Sequence, residues 1–124
     1  GFDTAAFLQE AKVQFTNIQS LWDAGDLGHL REYLTDDLVA EVKPQLDVRS
    51  AAPGKTEVVL LNAELLGIEI VPDGHLVSVR YSGMLREGAG NEAFRFEEVW
   101  NLFKPAQGGW LLAGIQQIPL QHAG

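Results

Sequence analysis

Glu98 is the residue of this sequence with the clearest potential for chemistry. It lies in the stretch FRFEEVWNLF, residues 94–103, whose alternation predicts a β-strand. Because side chains of a strand alternate between two faces, Glu98 shares its face with apolar residues. These are Phe94, Phe96, Trp100 and Leu102. An unpaired buried carboxylate is costly, so either this strand lines a cavity with a polar role, or Glu98 is paired or reaches water.

Two interpretations of Glu98 are open. In an apolar pocket it could act as a general base or orient a ligand. Alternatively, it pairs with an Arg or Tyr, or accepts from backbone N–H groups or the indole N–H of Trp22 or Trp100. We favour the second, because buried carboxylates are usually satisfied structural groups unless a catalytic partner converges on them. Arg80 on the neighbouring strand is a candidate partner, although the alternation along that strand argues against a shared face.

A second candidate group surrounds a predicted short helix. Asp26 and His29 are three residues apart and Tyr33 follows one turn later, so all three could share one side of that helix. Catalysis by such a pair is conceivable, but a cap, a solvated histidine and a core tyrosine are the more common outcome. His75 and His122 do not stand at metal-ligand spacing from Asp or Glu, so we predict neither a metal nor a cofactor.

Helical periodicity predicts three helices before the strands. The first is capped by Asp3, ends at Gly25 and turns apolar residues inward at spacings of three and four. Its inward residues are Phe7, Ala11, Phe15, Ile18 and Trp22, while Gln9, Lys12, Gln14, Gln19 and Asp23 are expected to face water.

The two later helices are shorter. Asp26 can cap the second, and Thr35, followed by two aspartates, starts the third. Pro44 is expected at or near the end of the third helix. The second helix should bear Leu27, Leu30, Tyr33 and Leu34, and the third should turn Leu38, Val39 and Val42 inward.

After the loop RSAAPGK the period changes to two and predicts four strands. Short glycine-bearing links join them, which is typical of an antiparallel meander. We place the strands at 57–71, 75–86, 92–104 and 110–118. Gly67 suggests a bulge, and a sheet bent around a long helix would form a cone with an internal pocket. The fold class is therefore α+β, with three N-terminal helices packed on a curved four-stranded antiparallel sheet.

The last predicted strand is apolar on both faces. Trp110, Leu112 and Ile118 are expected on one face, and Leu111, Ala113 and Ile115 on the other. A strand that is apolar on both sides is usually buried on both sides, so the outer face of the sheet should be covered. A homodimer through this face and coverage by loops or a displaced terminus are about equally favoured.

Composition limits the classes of function. The chain has 124 residues, no cysteine and a formal net charge of −8 with scattered basic residues, so we expect one domain that binds no nucleic acid. The same charge disfavours docking to anionic lipid headgroups but leaves hydrophobic insertion open. No stretch is long and apolar enough for a membrane span. We expect the domain to cover residues 2–120, with Gly1 a tag remnant and 121–124 a tail.

Three parts of the sequence resemble the Tim-forty-four-like domain family, bacterial relatives of the carboxy-terminal domain of the mitochondrial inner-membrane import-motor anchor. They are the helix-one pattern Phe7, Ala11, Phe15, Gln19 and Trp22, the step LREYLTDDL, and EVW paired with GWLL. The resemblance implies a cone-shaped fold similar to the nuclear-transport-factor-two-like superfamily. It also implies an inner-membrane-associated protein, tethered through a segment absent from this chain, whose domain here is soluble.

Three functions follow from this sequence. The first is a non-enzymatic, membrane-tethered binding or scaffolding domain that engages a protein partner or membrane lipid through an apolar pocket or a sheet face. The second is a carrier of lipid or another hydrophobic small molecule. The third is an isomerase-like or hydratase-like enzyme with Glu98 as general base and Tyr33 as donor. The predicted pocket residues are Phe15, Trp22, Tyr33, Phe94, Phe96, Glu98 and Trp100.

Overall fold

Three helices form one layer of the protein. The computed structural model describes residues 3–51, 54–88 and 90–120, so Gly1 and the tail 121–124, with its His122, lie outside the described residues. The helices are α1 (Thr4–Ala24), α2 (Leu27–Leu30) and α3 (Asp36–Ala51).

The ends of α1 follow the capping residues predicted from the sequence. The Asp3 carboxylate accepts a hydrogen bond from the backbone N–H of Ala6. At the other end Gly25 has a left-handed φ of 67°, which glycine adopts without steric penalty. Both cap predictions are confirmed.

Helix α2 is shorter than predicted. It ends at Leu30, so the expectation that Tyr33 and Leu34 belong to it is wrong. Leu34 instead forms a parallel bridge with Leu112, with the Leu112 N–H donating to the Tyr33 carbonyl over 2.7 Å. The backbone groups after α2 are therefore satisfied by a distant strand, which local periodicity does not reveal.

Helix α3 is longer than predicted, because it continues through Pro44 to Ala51. Proline within a helix removes one hydrogen bond and costs about 3 kcal/mol. Tertiary contacts beyond the proline offset this cost, since Leu46 is buried and Arg49 pairs with Asp23 at 3.0 Å. The expectation that Pro44 ends the helix is wrong.

Four antiparallel strands form one sheet in sequential order, which confirms the predicted meander. Together with the helices before it, this arrangement is α+β and consistent with a nuclear-transport-factor-two-like fold. The strands are β1 (Thr56–Val71), β2 (Gly74–Glu87), β3 (Phe94–Pro105) and β4 (Leu111–Gln117).

Two irregularities bend β1. The register with β2 shifts between Val58 and Leu60 and again between Leu65 and Gly67, where the sequence predicts a bulge. The first shift depends on Gly83, because a Cβ on that residue would lie 2.0 Å from the carbonyl oxygen of Leu60. Bulges of this kind curve a sheet, and here the inner face curves around α1.

A third irregularity reverses the inward and outward alternation of side chains along β4. The register between β3 and β4 shifts at Asn101 and Leu102, so Leu112 lies opposite Leu102 while Ile115 lies opposite Trp100. Ile115 therefore faces inward together with Leu112, and the prediction that it lies on the outer face is wrong. The outer face at β4 is correspondingly less apolar than strict alternation suggested.

The hydrophobic core lies between α1 and the inner face of the sheet. Phe15 is its centre, with ring centroids 4.7 Å from Tyr81, 4.9 Å from Trp100 and 5.6 Å from Phe96. Burial of the predicted inward residues of α1 is confirmed for Ala11, Phe15 and Ile18.

Candidate binding cleft

A large cleft of about 1200 Å³ opens between the helices and one end of the sheet. One wall comes from the C-terminal half of α1 and from α3, and the other from β3 and β4. The lining mixes apolar with polar and charged side chains, and 11 of its 21 residues are apolar. Its apolar residues are Ile18, Trp22, Leu38, Val42, Leu85, Phe94, Phe96, Trp100, Ile115, Ile118 and Leu120.

Two apolar residues of the sheet wall remain exposed although they lie on the core-facing side. Phe94 lies opposite Leu85 and is 41% exposed, and Ile115 lies opposite Trp100 and is 45% exposed. The helices therefore leave part of the inner face of the sheet uncovered at the cleft. An apolar group that entered the cleft would contact the uncovered residues.

Glu98 lies on the same face, between Phe96 and Trp100 and opposite Tyr81. Its Oε1 atom accepts a hydrogen bond from Nε1 of Trp100 over 2.9 Å. This confirms the predicted indole partner. Arg80 lies on the opposite face and approaches Glu64 at 3.8 Å, so Arg80 is not the partner of Glu98.

Most of the predicted pocket residues line this cleft, and two do not. Phe15 is 1% exposed and belongs to the core. Tyr33 lines a separate cavity of about 30 Å³ beside Tyr81 and Trp110. The residues that the structure brings together at the cleft are Trp22, Phe94, Phe96, Glu98 and Trp100.

The small cavity lies among residues of the hydrophobic core. The Tyr81 hydroxyl donates to the Ala11 carbonyl over 2.9 Å, and burial raises the pKa of Tyr81. The cavity is lined in part by Gln14, whose Oε1 atom is buried without a protein partner. Its size fits a single water molecule rather than a substrate.

Asp23 is the charged residue that sequence reasoning missed. It was expected to face water but is 5% exposed, and its carboxylate accepts hydrogen bonds from Arg49, from Gln19 and from both the N–H and the hydroxyl of Thr56. These bonds tie α1 to α3 and β1 at the edge of the cleft. A sequence signal existed, because a carboxylate in the last turn of a helix is disfavoured by the helix dipole unless it has a partner.

Asp26 and His29 form the pair predicted at α2, at the surface. Asp26 caps the helix through the His29 N–H, and its Oδ2 lies 2.6 Å from Nδ1 of His29. The hydrogen bond and the charge of Asp26 raise the pKa of His29, while the same hydrogen bond lowers the pKa of Asp26. Tyr33 lies beyond the end of α2, so the three residues do not share one side of that helix as predicted.

Carboxylates dominate the charge of the cleft. Glu41, Glu87, Glu97 and Glu98 are among its lining residues, and Arg95 is the only Lys or Arg among those that the structure describes. Across residues 3–51, 54–88 and 90–120, no group of three or more His, Asp or Glu side chains is arranged to hold a metal ion.

The family model for the Tim44-like domain matches residues 1–117. The chain belongs to the Tim44-like domain family. A search of curated proteins finds no match.

Tim44-like domains are membrane-associated and protein-binding in general, and the family is generally non-enzymatic. In the described part of this Tim44-like domain, no helix has the length and apolar character needed to cross a bilayer. The family match covers both helical and strand walls of the cleft up to Gln117.

Proposed function

We propose that this Tim44-like domain is a non-enzymatic binding and scaffolding module that holds an apolar part of its ligand in the cleft. The observation that carries the proposal is the exposure of Phe94 and Ile115 on the core-facing side of the sheet, within a space of about 1200 Å³. Apolar surface of this kind is stabilised when an apolar ligand removes it from water.

The setting of this activity is the surface of a membrane. General membrane association of the family supports this part of the proposal. A segment outside this chain would tether the domain, and the cleft would then engage either a partner protein or the apolar chain of a lipid-like molecule. A homodimer through the outer face of the sheet stays a prediction.

Catalysis with Glu98 as base and Tyr33 as donor is less well supported. The two residues line different cavities, with Glu98 at the large cleft and Tyr33 at the small one. One oxygen of Glu98 is already engaged by the Trp100 indole. A general base and its acid partner need to reach the same substrate.

Titration with a neutral, environment-sensitive apolar fluorophore tests the binding function. We expect saturable binding at one site in the wild-type domain. Ile115→Glu places a charge in the wall of the cleft and should weaken binding by about tenfold or more, since burying an unpaired carboxylate is unfavourable. The measurement is the dissociation constant from fluorescence, with native mass spectrometry to report stoichiometry and any co-purified ligand.

The matched control is Ile70→Glu, because Ile70 is apolar and 80% exposed but lies outside the cleft. This variant should bind the fluorophore like the wild type. Equal loss in both variants, or no saturable binding to the wild type, would contradict the proposed function.

A further inference from the structure

The outer face of the sheet carries arginines together with carboxylates. All three arginines of the described strands, Arg80, Arg86 and Arg95, lie at outward-facing register positions. Arg86 pairs with Glu57 at 2.6 Å. At the cleft, the inward-facing positions of the sheet carry Glu87 and Glu98, while Lys104 lies on the same face at the far end of β3, opposite His75.

Two carboxylates on other walls face the same space. Glu41 extends from α3 and Glu87 stands at the end of β2, and both are exposed lining residues of the cleft. Neither has an ion-pair partner among the described residues. Arg95, the basic lining residue, lies opposite Met84 at an outward-facing position. The cleft therefore combines apolar walls with a negative potential.

Glu98 is the carboxylate best placed to contact a ligand. Its Oε1 atom is fixed by the Trp100 indole, which leaves Oε2 as an acceptor that is not buried. The aromatic residues Trp22 and Phe94, which are not buried, line the same cleft. A carboxylate among aromatic rings favours an ammonium group, which gains both ion pairing and cation–π contact.

We propose that the polar end of the ligand is a cation, and that the occupant of the cleft is an amphiphile with an apolar chain and an ammonium head. This inference rests on the proposed binding function and adds the chemical class of the ligand. Charge complementarity carries it, because an anionic head would meet Glu41, Glu87 and Glu98 at the cleft. The size of the cleft is near that of small-molecule pockets, which favours an amphiphile over a folded protein partner.

Three probes with the same dodecyl chain test the proposal: dodecyltrimethylammonium, dodecyl maltoside and dodecanoate, each below its critical micelle concentration. Their affinities are measured by displacement of the neutral fluorophore at low salt. We expect the cation to bind about tenfold more tightly than dodecanoate, with the neutral probe between them.

Glu98→Gln should reduce this preference to about threefold or less, while the glutamine carbonyl still accepts from Trp100. Glu64→Gln is the matched control, because it removes the same charge from the outer face. It should leave the preference unchanged. A melting curve of each variant verifies that both remain folded.

The other outcomes would contradict either the proposed binding function or the cationic class of the ligand. If neither the fluorophore nor any of the probes binds, the proposed function fails. If all three bind equally or dodecanoate binds best, the cleft is a binding site but the cationic class is wrong. Equal loss of preference in Glu64→Gln and Glu98→Gln would assign the effect to net charge and overturn the proposal. Binding of a lysine-bearing amphipathic peptide without binding of dodecyltrimethylammonium would overturn it in favour of a protein occupant.

Discussion

Phe94 and Phe96 lie two residues apart on the same face of β3, but only Phe96 is covered by the helices. Phe96 is 8% exposed and stacks near Phe15, whereas Phe94 is 41% exposed at the cleft. The alternation along a strand determines on which face of the sheet a side chain lies. Whether that side chain is buried depends on where the helices cross the sheet. The comparison teaches that one apolar stripe can supply a core at one end and a binding surface at the other.

Alanine substitution at these two positions gives the largest expected contrast. Phe96→Ala should lower the free energy of unfolding by about 3 kcal/mol, because it removes a buried ring that packs against Phe15. Phe94→Ala should lower it by about 1 kcal/mol or less, because water already reaches that ring. Urea denaturation measures both, and equal losses would show that the two ends of the stripe are packed alike.

The Asp23 carboxylate accepts hydrogen bonds from Gln19, Arg49 and Thr56 at the edge of the cleft, and Asp23→Ala should cost about 2–3 kcal/mol. The change leaves Arg49 and the Thr56 N–H without their shared acceptor. Asp47→Ala is the control, because Asp47 forms an exposed pair with Lys43 and should cost less than about 0.5 kcal/mol. Similar urea midpoints for the two variants would contradict a structural role for the cluster.

The packed end also contains a buried hydroxyl, and Tyr81→Phe should cost about 1 kcal/mol at neutral pH through loss of its hydrogen bond to Ala11. Because burial raises the pKa of Tyr81 above its ordinary value of 10.0, its contribution is present below that pH and is lost as pH rises above it. The wild type should therefore lose stability above pH 10.0 more steeply than Tyr81→Phe. Parallel alkaline unfolding curves would count against burial of this phenol.

The smallest effect is expected for the exposed pair formed by Asp26 and His29. The pKa of His29 is raised by Asp26, so the pair contributes below the ordinary histidine value of 6.5 and the contribution is lost as pH rises through the raised pKa. Asp26→Asn keeps a side chain that can cap α2 but removes the charge. An NMR titration should show a lower His29 pKa in this variant, and an unchanged value would break the assignment of the shift to Asp26.

Much of the scaffold was predictable because its signals are local. The caps Asp3 and Gly25, the inner face of β3 and the bulge at Gly67 all follow from residue type and spacing. Pro44 and Ile115 were misplaced because tertiary packing carries α3 past the proline and a register shift at Ala113 and Gly114 reverses the alternation of β4.

Each wall of the candidate site was predictable only in part. The aromatic residues and Glu98 of β3 follow from alternation, and Trp22 follows from the stripe of α1. Gln45 on α3 was not predicted as a lining residue, because the helix was expected to end at or near Pro44. The burial of Asp23 depends on Arg49 and Thr56, which are distant in sequence and come together only in the folded chain.

The most direct test of the cleft as a binding site is an NMR experiment on the methyl-labelled domain with dodecyltrimethylammonium. Ile115 and Ile118 line the cleft, whereas Ile68 and Ile70 are apolar residues outside it. Intermolecular nuclear Overhauser effects from the alkyl chain to Ile115 and Ile118, and none to Ile68 and Ile70, are the predicted result. Contacts to Ile68 and Ile70 alone, or no contacts at saturating probe, would contradict the account.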